Sequence, residues 1–112
     1  MSTRGETHLW VVQRLTAMIL AFGVLVHLVT IILAVRGGLS AAEILGRTRG
    51  SEAWLAFYGL FALAAGLHGA IGLRAIAAEM LGVRGRVADL AWLAVGLLTA
   101  GFGIRAAIGL YV

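Results

Sequence analysis

Three long stretches without a formal charge set the terms on which this chain can fold. Residues 15–35 and residues 53–73 each run for 21 positions without an Asp, Glu, Lys or Arg, and residues 90–112 form a third stretch interrupted only by Arg105. At a rise of 1.5 Å per residue, each is long enough as a helix to cross a hydrocarbon layer about 30 Å thick. The rest of the 112 residues cannot shield them from water. Only 12% of residues are charged and 62% are hydrophobic, with a mean hydropathy of +1.02, whereas soluble domains carry about a quarter charged residues. A soluble domain this small could not hide so much apolar surface. The expected fold is therefore all-α: an integral membrane bundle of three transmembrane helices at about 15–35, 53–73 and 90–112, forming one domain over residues 1–112. The first stretch exceeds the apolar core of a signal peptide and has no small-residue cleavage site close behind it, so it is read as a retained helix.

The segments between the spans are short and rich in turn residues. After the first span comes "RGGLSAAEILGRTRGSE", in which Ser40 followed by Glu43 forms a capping box and predicts a short interfacial helix over "SAAEIL". After the second comes "RAIAAEMLGVRGRVAD", whose first half extends the second helix and whose Gly82 and Gly85 make the turn. Small residues at helical spacing, Ala62, Gly66 and Ala70 on the second span and Gly96, Ala100 and Gly103 on the third, mark close helix contacts.

All nine basic residues are arginines, and they gather at the span ends. Arg4, Arg14, Arg74, Arg84 and Arg86 share one side; Arg36, Arg47 and Arg49, with Arg105, belong to the other. The excess places the N-terminus on the cytoplasmic side. This distribution accounts for the net charge of +4 without a nucleic-acid partner. The chain has no cysteine, which excludes disulfides, thiolate metal sites and iron–sulfur ligation. All five acidic residues lie outside the spans, so no paired carboxylates, serine triad or buried proton-carrying acid can be assembled.

An ionisable side chain inside a span is a functional candidate, and three qualify: His27, His68 and Arg105. One helical turn on either side of His68 stand Ala64, Ala65, Ile71 and Gly72. That bare surface has room for a large flat group such as haem, for which neutral imidazole is a common axial ligand; a histidine hydrogen-bonded to a neighbouring helix is the equal alternative. His27 stands 13 residues from Arg14, roughly 20 Å deep, whereas His68 stands six residues from Arg74, roughly 9 Å deep. This mismatch argues against one iron between them. His27 is then either structural or the ligand of a second, stacked haem. Arg105 pairs with a propionate or snorkels to the interface. "WVVQRLTA" sets Gln13, Arg14 and Thr16 beside Trp10, where they either hydrogen-bond a quinone carbonyl or anchor the helix. Trp54 and Tyr58 are read as interfacial belt residues, and His8 as part of an aqueous tail or a contact with a soluble partner.

Two motifs carry a family resemblance. "QRLTA" at the head of the first helix and H-x3-G-L-R-x4-E from His68 to Glu79 resemble the small membrane anchor subunits of succinate dehydrogenase, respiratory complex II. The likeness extends along the whole chain, with three helices and both motifs in order. It implies haem b held between two anchor subunits, each giving one histidine, here His68. It further implies Arg74 beside a haem propionate, and Arg14 and Glu79 beside ubiquinone or menaquinone. Trp10 stands where the family often has Ser, and Met80 where it often has Tyr, so part of the quinone site is expected from the partner. Relatives with two haems place a histidine on each of the first two helices, as His27 and His68 do. The "RLTA" start and "GGLS" loop lean towards the smaller of the two anchor types.

The resemblance thus implies a haem-binding anchor of a succinate:quinone oxidoreductase in a bacterial inner (cytoplasmic) membrane. The chain would be a non-catalytic part of that enzyme, docking an iron–sulfur subunit and a flavoprotein subunit. The rival expectations are the anchor of a quinol:fumarate reductase, a haem-free structural membrane subunit, and a small transporter, which the lack of a buried acid disfavours.

Overall fold

The computed structural model describes residues 2–112 and contains four helices in the order α1 (Thr3–Arg36), α2 (Ala41–Thr48), α3 (Glu52–Leu81) and α4 (Arg86–Tyr111). The three long ones are each long and apolar enough to cross a membrane. The chain has no proline, so nothing removes a main-chain donor from inside a helix. Each apolar stretch forms the body of a longer helix. The segment holding His8 is correspondingly helical, since α1 starts at Thr3. The bundle is 49 Å long and 24 by 22 Å across, so its helices outrun a hydrocarbon layer of about 30 Å.

Local chemistry fixes the helix ends. Ser2 Oγ accepts from the Gly5 N–H at 3.2 Å, Ser40 Oγ from the Glu43 N–H at 3.1 Å, and Ser51 Oγ from the Trp54 N–H at 3.3 Å. Each satisfies one of the donors a helix N-terminus leaves unpaired. α3 stops at Gly82, whose φ of 68° lies in the left-handed region, and the Val83 N–H returns to Ala77 O at 3.1 Å. At the other end of the bundle, Thr48 Oγ1 donates to Leu110 O at 3.0 Å and the Gly50 N–H to Tyr111 O at 2.8 Å. The α2 segment thereby supplies donors to the last carbonyls of α4, which its own helix cannot satisfy.

α3 is the central element. It packs along α4 on one side and α1 on the other. The α3–α4 seam is built from the smallest residues, as their spacing predicts. A Cβ added to Gly96 would stand 2.7 Å from Ala70 Cβ and 2.8 Å from Gly66 O, and one added to Gly66 would stand 2.5 Å from Gly96 O. Ala62 closes on Gly103 in the same way. Among the described residues the buried apolar core is Ala34, Ala62, Ala64, Ala77, Ala100 and Ala107, and no large side chain is fully enclosed. Large apolar residues point outward instead: Phe22 is 66% exposed and Phe102 70%. This is the arrangement expected where lipid, as apolar as leucine, solvates the outside and close backbone packing holds the inside.

Candidate functional site

The α1–α3 seam differs from the α3–α4 seam in carrying polar side chains at intervals. The two helices run antiparallel, so Gln13 meets Gly72, Thr16 meets His68, Gly23 meets Phe61 and His27 meets Tyr58 in succession.

At the first node Thr16 is the most enclosed polar residue of the chain, at 4% exposure. Its Oγ1 lies 3.3 Å from His68 Nδ1, and the same hydroxyl reaches Val12 O at 2.8 Å and Gln13 O at 3.1 Å. The imidazole itself is half-buried. α1 covers part of the bare surface anticipated around His68, where a Cβ at Gly72 would stand 3.3 Å from Gln13 Nε2; Ala64 is buried as well. Gly66 and Ala70 belong to the α4 contact. Gln13 Oε1 is buried beside this node without a partner.

The second node lies ten residues along α3, roughly 15 Å away. His27 Nδ1 is 3.3 Å from the Tyr58 hydroxyl, Tyr58 is 3.1 Å from Thr30 Oγ1, and Thr30 donates to His27 O at 2.7 Å. Tyr58 is thus turned into the seam, and is not a belt residue facing outward. Trp54 stacks on it with ring centroids 5.7 Å apart, and Phe61 tilts against His27 at 5.9 Å. Gly23 leaves the space that the Phe61 ring occupies. His27, Thr30 and Tyr58 open onto a cavity of about 530 Å³ lined mostly by apolar side chains. It lies between α1, α3 and α4, with Ile44 and Arg47 of α2 across one end. Arg47 is paired with Glu43 and reaches Thr30 O at 3.4 Å.

A third polar group closes the opposite end of the bundle. Arg74 donates through Nε to Asp89 Oδ1 at 2.9 Å, and its Nη2 stands 3.6 Å from Glu6. One guanidinium therefore links the beginnings of α1 and α4 to the last turns of α3. Arg74, Asp89, Glu79, Arg84 and Trp92 line a polar cavity of about 630 Å³ there, and Trp92 Nε1 is buried without an acceptor.

The residues singled out in the sequence thus fall into separate places. Thr16 joins His68, and Gln13 stands a turn away. Arg14 is exposed, its guanidinium 5.1 Å above the Trp10 ring, on a face apart from both cavities. Glu79 shares a cavity with Arg74. Arg105 is exposed and joins no ion pair among the described residues. Sequence reasoning missed Tyr58, Thr30, Asp89, Glu6 and Trp92. The missing quantity was helix register. Once Thr16 faces His68, antiparallel packing brings His27 to Tyr58, and the Gly66–Gly96 contact carries Arg74 to Asp89.

No three His, Cys, Asp or Glu side chains cluster to hold a metal ion among the described residues. A family model described as succinate dehydrogenase/fumarate reductase transmembrane subunit matches residues 1–103. No curated protein and no solved structure matches the chain.

Proposed function

The chain belongs to the succinate dehydrogenase/fumarate reductase transmembrane subunit family, and within it we propose that this protein is a haem b-binding membrane anchor that helps to carry electrons between an iron–sulfur partner and membrane quinone. The observation that carries this reading is His68 itself, a half-buried imidazole inside a span with one nitrogen engaged by Thr16. An imidazole held in this way suits a metal that brings further ligands of its own. The residues present therefore fit haem. His68 would hold the iron through Nε2, together with a histidine of a second anchor subunit. Bound there, haem would supply a one-electron store, tuned by the residues that hold it and by burial.

The rest of the chain binds and positions. Arg74 keeps Nη2 on Glu6 only at the longer distance, so this is the corner a haem propionate would take, with Asp89 retaining Nε. Glu79 and Arg74, with Trp92, line the polar cavity at the N-terminal end of the bundle, where a quinone headgroup would be hydrogen-bonded. Arg14, Trp10 and Gln13 do not line that cavity; they would meet quinone on the α1 side, together with the iron–sulfur partner. On this reading the end lies on the cytoplasmic side of a bacterial inner membrane, an orientation that the arginine excess supports. The parts of α1 and α3 that outrun the bilayer give the iron–sulfur and flavoprotein subunits a helical platform. Arg105, exposed on α4, faces lipid headgroups or the partner anchor.

A second haem ligated by His27 is the alternative version. It is favoured by the apolar cavity of about 530 Å³ that His27 lines, two to three turns from His68. A reduced-minus-oxidised visible spectrum of the purified complex tests both. A b-type band lost in His68→Ala is expected, and no band in the unaltered complex would leave a haem-free structural anchor. A pyridine haemochrome ratio then counts one haem or two, and His27→Ala shows which histidine holds the second. Quinol:fumarate reductase activity in place of succinate oxidation would reverse the direction without changing these roles.

A further inference from the structure

Thr16 reads from the sequence as an interfacial or quinone-facing hydroxyl, yet it is enclosed against His68. A threonine hydroxyl has one proton to give. Here it has two main-chain acceptors within its own helix, Val12 O at 2.8 Å and Gln13 O at 3.1 Å. Both are shorter than the 3.3 Å to His68 Nδ1. Back-bonding to the preceding turn is the usual habit of a threonine inside a helix. With the proton on either carbonyl it stays within α1, and the hydroxyl then meets His68 as an acceptor.

We infer that Thr16 is a positioning residue for His68: it accepts the Nδ1–H, fixes the imidazole as the tautomer whose Nε2 lone pair is free, and holds the ring against rotation. This rests on the proposal that His68 ligates haem iron. The alternative tautomer would place a lone pair on Nδ1 against the lone pairs of a hydroxyl whose proton is already committed. It would also put a proton on Nε2, where the iron must bind. The contact has a second effect. A ligating histidine that donates its other N–H becomes a more basic ligand, which stabilises the ferric state and lowers the reduction potential.

The test compares the unaltered full complex with Thr16→Val, which keeps the shape without the hydroxyl, Thr16→Ser, which keeps the hydroxyl, and His68→Ala. Haem per assembled complex is measured by pyridine haemochrome, and the midpoint potential by spectroelectrochemical titration. Thr16→Val is expected to weaken haem retention by about 10- to 100-fold, the range typical for loss of such a supporting contact, and to raise the potential. Thr16→Ser should restore both. Should Thr16→Val fail to assemble, Thr16→Cys, a weaker acceptor, takes its place with an intermediate loss expected. If His68→Ala removes the haem but Thr16→Val, or Thr16→Cys in its stead, matches the unaltered complex in retention and potential, Thr16 is only a packing residue. If the unaltered complex carries no b-type haem, the haem reading fails and this assignment fails with it.

Discussion

α3 has two neighbours and treats them differently. Towards α4 it presents Ala62, Gly66 and Ala70, and the two backbones come together until there is no room for a methyl group. Towards α1 it presents His68 and Tyr58, each hydrogen-bonded to a residue of α1. The first seam gains its energy from many weak contacts at short range, because lipid leaves no hydrophobic drive between helices. The second spends part of its contact area on groups that are costly in a membrane and that can bind something. One helix thus separates a mechanical face from a chemical one.

The largest expected effect tests the mechanical face. Gly66→Leu or Gly96→Leu forces a side chain into Gly96 O or Ala70, an overpacking that costs about 1–3 kcal/mol or more. Loss of assembled complex, measured by yield and thermal midpoint in detergent, is the expected outcome. Assembly at the unaltered level would show that the seam is looser than described. Next, His68→Ala should abolish the b-type band while leaving the helices assembled. If the bundle itself is lost, the two faces are not separable. A smaller effect is expected from Tyr58→Phe, which removes both hydroxyl contacts at the second node. Hydrogen bonds inside membranes average about 0.6 kcal/mol, so a shift of a few degrees in the thermal midpoint is expected, with the band at His68 unchanged. Asp89→Asn breaks the Arg74 pair, whose partners are partly exposed. Pairs of that kind contribute about 0–1 kcal/mol, so its effect should vanish in high salt. The smallest effect belongs to the outward surface, where Leu97→Ile should leave the midpoint within error.

Much of the mechanical face was legible in the sequence and much of the chemical face was not. The three spans, the short helix capped by Ser40 and the turn at Gly82 follow from charge, capping and glycine placement, which are local. The α3–α4 small-residue pairs follow almost as directly, since residues at intervals of three and four share a helix face. His68 could be singled out because an imidazole in a span is rare. Its partner could not, because Thr16 sits 52 positions away and looks, beside Gln13 and Arg14, like a headgroup-facing residue. Tyr58 was hidden in the same way by its aromatic neighbours Trp54 and Phe57. In both cases the residue type had a common interfacial use, and only the pairing of helices showed which way it pointed. Arg74 illustrates the converse: its place at the end of α3 was evident, but its partners Asp89 and Glu6 come from two other helices.

The enclosure of alanine and glycine, with leucine and phenylalanine left outside, inverts the usual map of tolerance. In a water-soluble protein, systematic replacement finds its most sensitive positions among the bulkiest residues. Here the bulky positions can exchange one oily side chain for another against fluid lipid. The intolerant ones are residues such as Gly66 and Gly96, where adding a single carbon pushes two backbones apart.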